Sequence, residues 1–137
     1  IQNSNLCLYG DVRKNISKLK DNSIDLIITS PPYLNSRDYT DIYIAELWIL
    51  DLVKNYEELR ALRKRTLRSH VQVKLGDIEL LEIEELETVI KKLEVRKHEF
   101  WNPEIAEMIK AYFLDIDILF SEFKKKMRPN RKIFFKL

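Results

Sequence analysis

Two rhythms of apolar and polar positions run along this chain. Short, nearly continuous apolar runs stand at residues 6–9 (Leu-Cys-Leu-Tyr), 24–28 (Ile-Asp-Leu-Ile-Ile) and 133–135 (Ile-Phe-Phe), each flanked by turn-forming or charged residues. Runs of this kind predict strands buried on both faces of a parallel sheet. Between them, apolar residues recur three and four apart, which predicts amphipathic helices. One short helix is expected over 12–20, with Ile16 and Leu19 inward. A long helix is expected from Thr40 or Asp41 to about Thr66, with Ala45, Trp48, Ile49, Leu52, Val53, Tyr56, Leu59 and Leu62 as its core stripe. A third should run from Gly76-Asp77 to about Val95 with Ile83, Leu86, Val89, Ile90 and Leu93 on one face. A fourth should run from an Asn102 cap and Pro103 to about Met127. Val71, Val73 and Leu75 alternate, as in a short strand or an extended connector. Strands alternating with helices make the fold class α/β, here with few parallel strands and a large helical share.

Turn chemistry sharpens this outline. Gly10-Asp11 closes the first run: the glycine permits a tight exit, and the aspartate can cap the next helix at its exposed N–H groups. Asp21-Asn22-Ser23 makes a turn before the second run. That run ends at Thr29-Ser30-Pro31-Pro32-Tyr33. Two successive prolines have no N–H to continue a ladder, so the chain must leave the sheet at Ser30, at its carboxyl edge. Open α/β sheets bind their ligands at that edge. A hydroxyl, stiffened carbonyls and an aromatic ring are presented there together.

Composition narrows the possibilities. The chain has 137 residues, 45% hydrophobic and 34% charged, with a formal net charge of +2. One domain, residues 1–137, is expected. Near-neutral bulk charge does not announce a nucleic-acid binder, so the distribution of charge matters more. The end of the long helix is basic, with Arg60, Arg63, Lys64, Arg65 and Arg68. This suits either a dipole-matched, solvated helix end or a phosphate-binding patch. The 77–95 helix carries Glu79, Glu82, Glu84, Glu85 and Glu87 in its first half, a face that would repel DNA. Cys7 is the only cysteine, so neither an internal disulfide nor a cysteine metal cluster can form, and it is expected to pack in the first strand. His70 stands without a partner pattern and reads as structural; no metal site is expected. No apolar run reaches transmembrane length and no signal-peptide pattern stands at the start, so a cytoplasmic protein is expected.

Ser30-Pro31-Pro32-Tyr33, with the run before it, Gly10-Asp11 upstream and Asn35-Ser36-Arg37-Asp38-Tyr39 downstream, resembles the catalytic region of the amino-methylating DNA methyltransferases. The resemblance is strong over residues 5–40, weaker at the C-terminal end and weakest between, where 67–100 reads as a helical insertion. It implies a partial Rossmann-like methyltransferase fold. It also implies S-adenosylmethionine as cofactor, DNA as partner, and methylation of an exocyclic amine, cytosine N4 rather than adenine N6. Ser30, Pro31, Pro32 and Tyr33 would be catalytic. Ser30 Oγ and the Pro31 carbonyl would accept the amine's hydrogens, and Tyr33 would stack on the flipped base. Asp11 would contact the cofactor's adenosine part. Arg37, Arg63, Lys64, Arg65 and Arg68 are the candidate DNA contacts. With no cysteine beside a proline, cytosine-C5 methylation is disfavoured.

The chain departs from that family in its glycines. Only Gly10 and Gly76 occur, and the family's Gly-x-Gly cofactor turn is missing. Asn130 and Arg131 follow Pro129 where two glycines usually stand. The cofactor half is therefore expected to be cut away, lost, or supplied by another chain, with cofactor binding by this chain alone weak, and a second chain or another copy is expected to complete the sheet. Two other readings stay open. A non-catalytic helical interaction module, or remnant, is favoured by the missing glycines. An RNA or protein methyltransferase is disfavoured by the Asn-Ser-Arg-Asp-Tyr continuation.

Overall fold

A computed structural model describes residues 5–71 and 81–136. Its centre is a two-stranded parallel sheet, β1 (Ile24–Thr29) beside β2 (Met127–Phe135). The sheet aligns Ile27 with Ile133, Ile28 with Phe134, and Thr29 with Phe135. Parallel partners point to the same side, so the two strands have a common inner and outer face. Ile27 and Ile133 go inward, against a core of Ile16, Leu119 and Phe123. Leu26, Ile28 and Phe134 go outward and are exposed. The strand expected to be covered on both faces is therefore covered on one. The register slips between Ile24↔Met127 and Leu26↔Lys132, so residues 128–131 bulge out of the ladder. Pro129, which cannot donate to a ladder, and Asn130, at φ 61°, lie in that bulge.

Helices cover the inner face. After Gly10, α1 (Val12–Asn15) runs into a 3₁₀ turn, Ile16–Lys18. The long α6 (Ile105–Lys126) packs against both and leads directly into β2. Asn102 Oδ1 accepts from the Glu104 N–H at 2.8 Å just ahead of α6, close to the expected cap. A second core forms where Val71, Ile105 and Met108 meet Leu34, Phe100 and Ile109. The acidic helix α5 (Glu84–Val95) lies on α6 through the buried Leu86 and Ile90.

Three expectations are corrected. Residues 5–9 form no strand and are exposed, so the sheet has two strands among the described residues, not three. An apolar run makes a strand only where a neighbour supplies a ladder, and none among the described residues pairs with it. The single helix over 40–66 is three: α2 (Tyr39–Ile42), α3 (Ile44–Ile49) and α4 (Tyr56–Arg63). Tyr43 leaves helical geometry, and Asp51 takes a left-handed φ of 55° before Asn55 caps α4 at the Glu58 N–H. The expected stripe is consequently split: Val53 and Leu59 are buried, while Trp48, read as a packing residue, is 70% exposed. Residues 81–83 are not helical, so among the described residues the acidic helix begins at Glu84. The expectations for 72–80, including Val73, Leu75, Gly76 and the start at Asp77, lie outside the described residues.

Among the described residues, four non-glycine residues hold positive φ: Asn22 (53°), Asn35 (52°), Asp51 (55°) and Asn130 (61°). Asparagine and aspartate are the non-glycine types that enter this region most readily. Gly10 has φ 120°, and a Cβ there would stand 3.3 Å from Asn15 Nδ2.

Candidate functional site

The Ser-Pro-Pro-Tyr turn leaves the sheet where expected. The last bond of the ladder is Lys136 N–H to the Thr29 carbonyl, at 3.0 Å. Ser30 is exposed beyond it, Pro31 is buried, Pro32 is half-buried and Tyr33 is exposed. Residues 29–32 line an apolar chamber of about 270 Å³, closed by Val12, Leu67, Ile116, Phe120 and Phe135. The carboxyl end of β1 thus sets a hydroxyl and fixed carbonyls at the mouth of a greasy cavity between sheet and α6.

The loop that follows is tied down twice. Asn35 donates its N–H to the Ser69 carbonyl at 2.8 Å. Asp38 caps α2, accepting from the Thr40 N–H at 2.8 Å and its hydroxyl at 2.6 Å. Arg63 then binds Asp38 at 2.8 Å, Thr40 Oγ1 at 2.7 Å, and Asp41. The end of α4 is thereby clasped to the start of α2.

Sequence reasoning missed the strap 67–71 that underlies this loop. Leu67 lines the chamber. Arg68 binds the buried Asp115 carboxylate through its backbone N–H (3.0 Å), Nε (3.1 Å) and Nη2 (2.7 Å). Ser69 receives Asn35, and Val71 enters the second core. His70 Nδ1 and Asn35 Oδ1 are buried at this junction, with no hydrogen-bonding partner among the described residues. A signal existed in the run of basic residues, but periodicity assigned it to a helix end.

Asp11 caps α1, as its position suggested. Its Oδ1 accepts from the Arg13 N–H and Nε, both at 3.0 Å, and its Oδ2 accepts from Arg13 Nη2 at 2.8 Å. Burial pushes the Asp11 carboxyl up, but the Arg13 hydrogen bonds outweigh this and hold it below the usual carboxylate range. Arg13 in turn is raised, first by its bond to Asp11, against the opposing effect of burial. Both Asp11 oxygens are thus occupied by a neighbouring guanidinium. Gly10 is the one glycine among the described residues, so those residues do not offer the glycine-rich turn of a nucleotide-type cofactor cradle.

The cations proposed for DNA separate into two groups. Arg37, Lys64 and Arg65 are exposed. Arg63 and Arg68 are half-buried and engaged by Asp38, Asp41 and Asp115. Among the described residues, no group of three or more histidine, cysteine or acidic side chains is placed to hold a metal ion. No helix of the described residues is long and apolar enough to cross a membrane.

No family model matches the chain, and no solved structure matches it significantly. It is 30% identical over 142 aligned positions to a Type II methyltransferase, M.BsoBI of Geobacillus stearothermophilus. The match covers 88% of this chain and 28% of that protein, so the chain spans about a quarter of the relative's length. A mixed α/β chain with a parallel sheet is what a partial Rossmann-like methyltransferase fold requires, and the identity gives this chain a methyltransferase relationship over most of its length.

Proposed function

We infer that this chain carries the catalytic edge of an enzyme that methylates an exocyclic amine of DNA, cytosine N4 in preference to adenine N6. One observation carries the reading: Ser30-Pro31-Pro32-Tyr33 leaves the carboxyl end of a parallel strand beside an apolar chamber. The 30% identity to a Type II methyltransferase supports it.

The amine of a nucleobase is a weak nucleophile because its lone pair is delocalised into the ring. Ser30 Oγ and the Pro31 carbonyl accept its hydrogens and so return electron density to nitrogen. These acceptors help most if they are fixed before reaction, which two prolines achieve by limiting φ. Tyr33 stacks on the base once it leaves the duplex, offsetting part of an unstacking cost of a few kcal/mol. S-adenosylmethionine supplies the methyl group when bound. Asp11 contributes to its site only after release from Arg13, and a glycine-bearing cradle comes from a different chain or a further part of the enzyme. Exposed Arg37, Lys64 and Arg65 hold DNA phosphates.

The test is methyl transfer from radiolabelled S-adenosylmethionine to duplex DNA, with the methylated nucleoside identified by mass. Ser30→Ala should lower turnover by roughly a hundredfold or more while leaving DNA affinity nearly unchanged. Full activity in Ser30→Ala defeats the mechanism. A second reading, a helical interaction module without catalysis, is favoured by the exposed apolar residues of α3 and α4 and predicts no transfer under any of these conditions.

A further inference from the structure

Tyrosines gather just beyond the Ser-Pro-Pro-Tyr turn. Tyr33 is 47% exposed, and α2, which begins six residues later with Tyr39, ends against Tyr43. Tyr39 and Tyr43 are 43% and 50% exposed. Their rings are nearly parallel, 12° apart in plane, with centroids 6.4 Å apart. Contact between residues four apart steadies a helix slightly, but it does not explain why both rings also face water. Six residues of chain span at most about 20 Å, so Tyr39 stands within that distance of Tyr33. The pair is also fixed relative to the turn. The Asn35 N–H is bound to the Ser69 carbonyl, and Arg63 grips Asp38 and Thr40 at the start of α2.

The charge around the pair suits phosphate. The two acids at α2, Asp38 and Asp41, are both bound by the Arg63 guanidinium. Arg37, two residues before Tyr39, is exposed and has no acidic partner among the described residues. The same holds for Lys64 and Arg65, which directly follow Arg63; Arg65 Nε donates only to the Ala61 carbonyl, at 3.2 Å. Glu46, exposed three residues past Tyr43, is the opposing charge, and these cations outnumber it.

We propose that Tyr39 and Tyr43 form a stacking platform for DNA bases that become unstacked beside the methylation target, while Arg37, Lys64 and Arg65 hold the phosphates. This deepens the reading of the chain as a DNA amine methyltransferase and rests on it. A base that leaves the duplex for Tyr33 deprives its neighbours of a stacking partner. Tyrosine rings held nearby restore that contact, and they do so for any base, because every base has a π face. The platform therefore favours opened DNA over paired DNA without reading sequence. Cations bind the phosphates of both forms, so the preference comes from the rings.

Fluorescence anisotropy of the full chain with two labelled duplexes, one fully paired and one carrying a short run of mismatches, tests it at two salt concentrations. Wild type should bind the mismatched duplex roughly tenfold more tightly. Tyr39→Ala with Tyr43→Ala should weaken binding to the mismatched duplex roughly tenfold, and leave both paired-duplex affinity and the salt slope unchanged. Tyr39→Phe with Tyr43→Phe keeps both rings and should keep the preference. A wild type that binds the two duplexes equally overturns the proposal. So does an alanine variant that still prefers the mismatched duplex, or one that loses affinity for both duplexes alike. An alanine variant with wild-type DNA binding but altered sedimentation would assign the rings to a contact between copies and overturns it too. Methyl transfer separates this proposal from the reading beneath it. Absent transfer with the tyrosine-dependent preference intact defeats the catalytic reading and leaves the platform standing; transfer without the preference does the reverse.

Discussion

Arg13 Nη1 and Asp115 meet at 2.6 Å where three segments distant in sequence converge. The same carboxylate binds Arg68, and Arg13 Nη2 donates to the Arg65 and Thr66 carbonyls. One acidic side chain on α6, 1% exposed, therefore holds α1, the strap beneath the candidate site and the long helix together. Asp115→Ala would leave two guanidinium groups without their shared partner in a poorly solvated place. It should cost about 3–5 kcal/mol of stability in urea unfolding. A loss below about 1 kcal/mol would show that water or another carboxylate replaces it.

The Asp11–Arg13 pair predicts acid sensitivity. The Asp11 carboxyl is held below its ordinary value in the folded chain. Its contribution is therefore fully present above the unfolded aspartate pKa, near 3.9, and is lost as pH falls from there through the folded value. Urea midpoints of wild type and Asp11→Asn should differ at neutral pH, by on the order of 1 kcal/mol, and converge in strong acid. A difference independent of pH would assign the loss to the cap geometry alone.

DNA affinity should follow the exposed cations. Lys64→Ala with Arg65→Ala should weaken duplex binding alike for all sequences and reduce the salt slope by about two. Arg63→Ala should act on stability instead, because its guanidinium is held by Asp38, Thr40 and Asp41. Binding isotherms at two salt concentrations, beside thermal melts, separate the two effects. Wild-type affinity in the Lys64/Arg65 double variant removes this surface from the DNA site.

Titration calorimetry with S-adenosylmethionine should give weak or undetectable binding to this chain alone. Freeing Asp11 means breaking its bonds to Arg13, and Gly10 and Gly76 are too few to bring backbone close to a ligand. One-to-one, low-micromolar binding by the isolated monomer would mean that other residues make the pocket.

The sequence was readable where local chemistry decides the outcome. Thr29-Ser30-Pro31-Pro32 ends a strand because two successive prolines have no N–H with which to continue the ladder. The α6–β2 unit and the Asp11 cap were legible for similar reasons. The pattern misled where a partner decides. Leu6–Tyr9 is as apolar as β1, yet a strand needs a neighbour. Spacing of three and four continues through residues 43–55, but Tyr43 and Asp51 break the helix locally and turn Trp48 outward. The strap was illegible because its role depends on Asp115, 47 residues away from Arg68, and single-residue spacing carries no sign of that pairing.

The left-handed residues carry a consequence for engineering. With only two glycines, this chain makes its reversals at Asn22, Asn35, Asp51 and Asn130, each with a Cβ in a region that disfavours one. Glycine adopts that geometry without steric conflict but loses more freedom on folding, so the two effects oppose. At Asn22, Asn35 and Asn130 no side-chain hydrogen bond among the described residues would be forfeited. Relief of backbone conflict should there match or exceed the entropic loss, making these turns tolerant positions. Directed variation aimed at thermal tolerance would begin at Asn22 and Asn130, away from the Ser-Pro-Pro-Tyr turn, and leave Asn35 untouched.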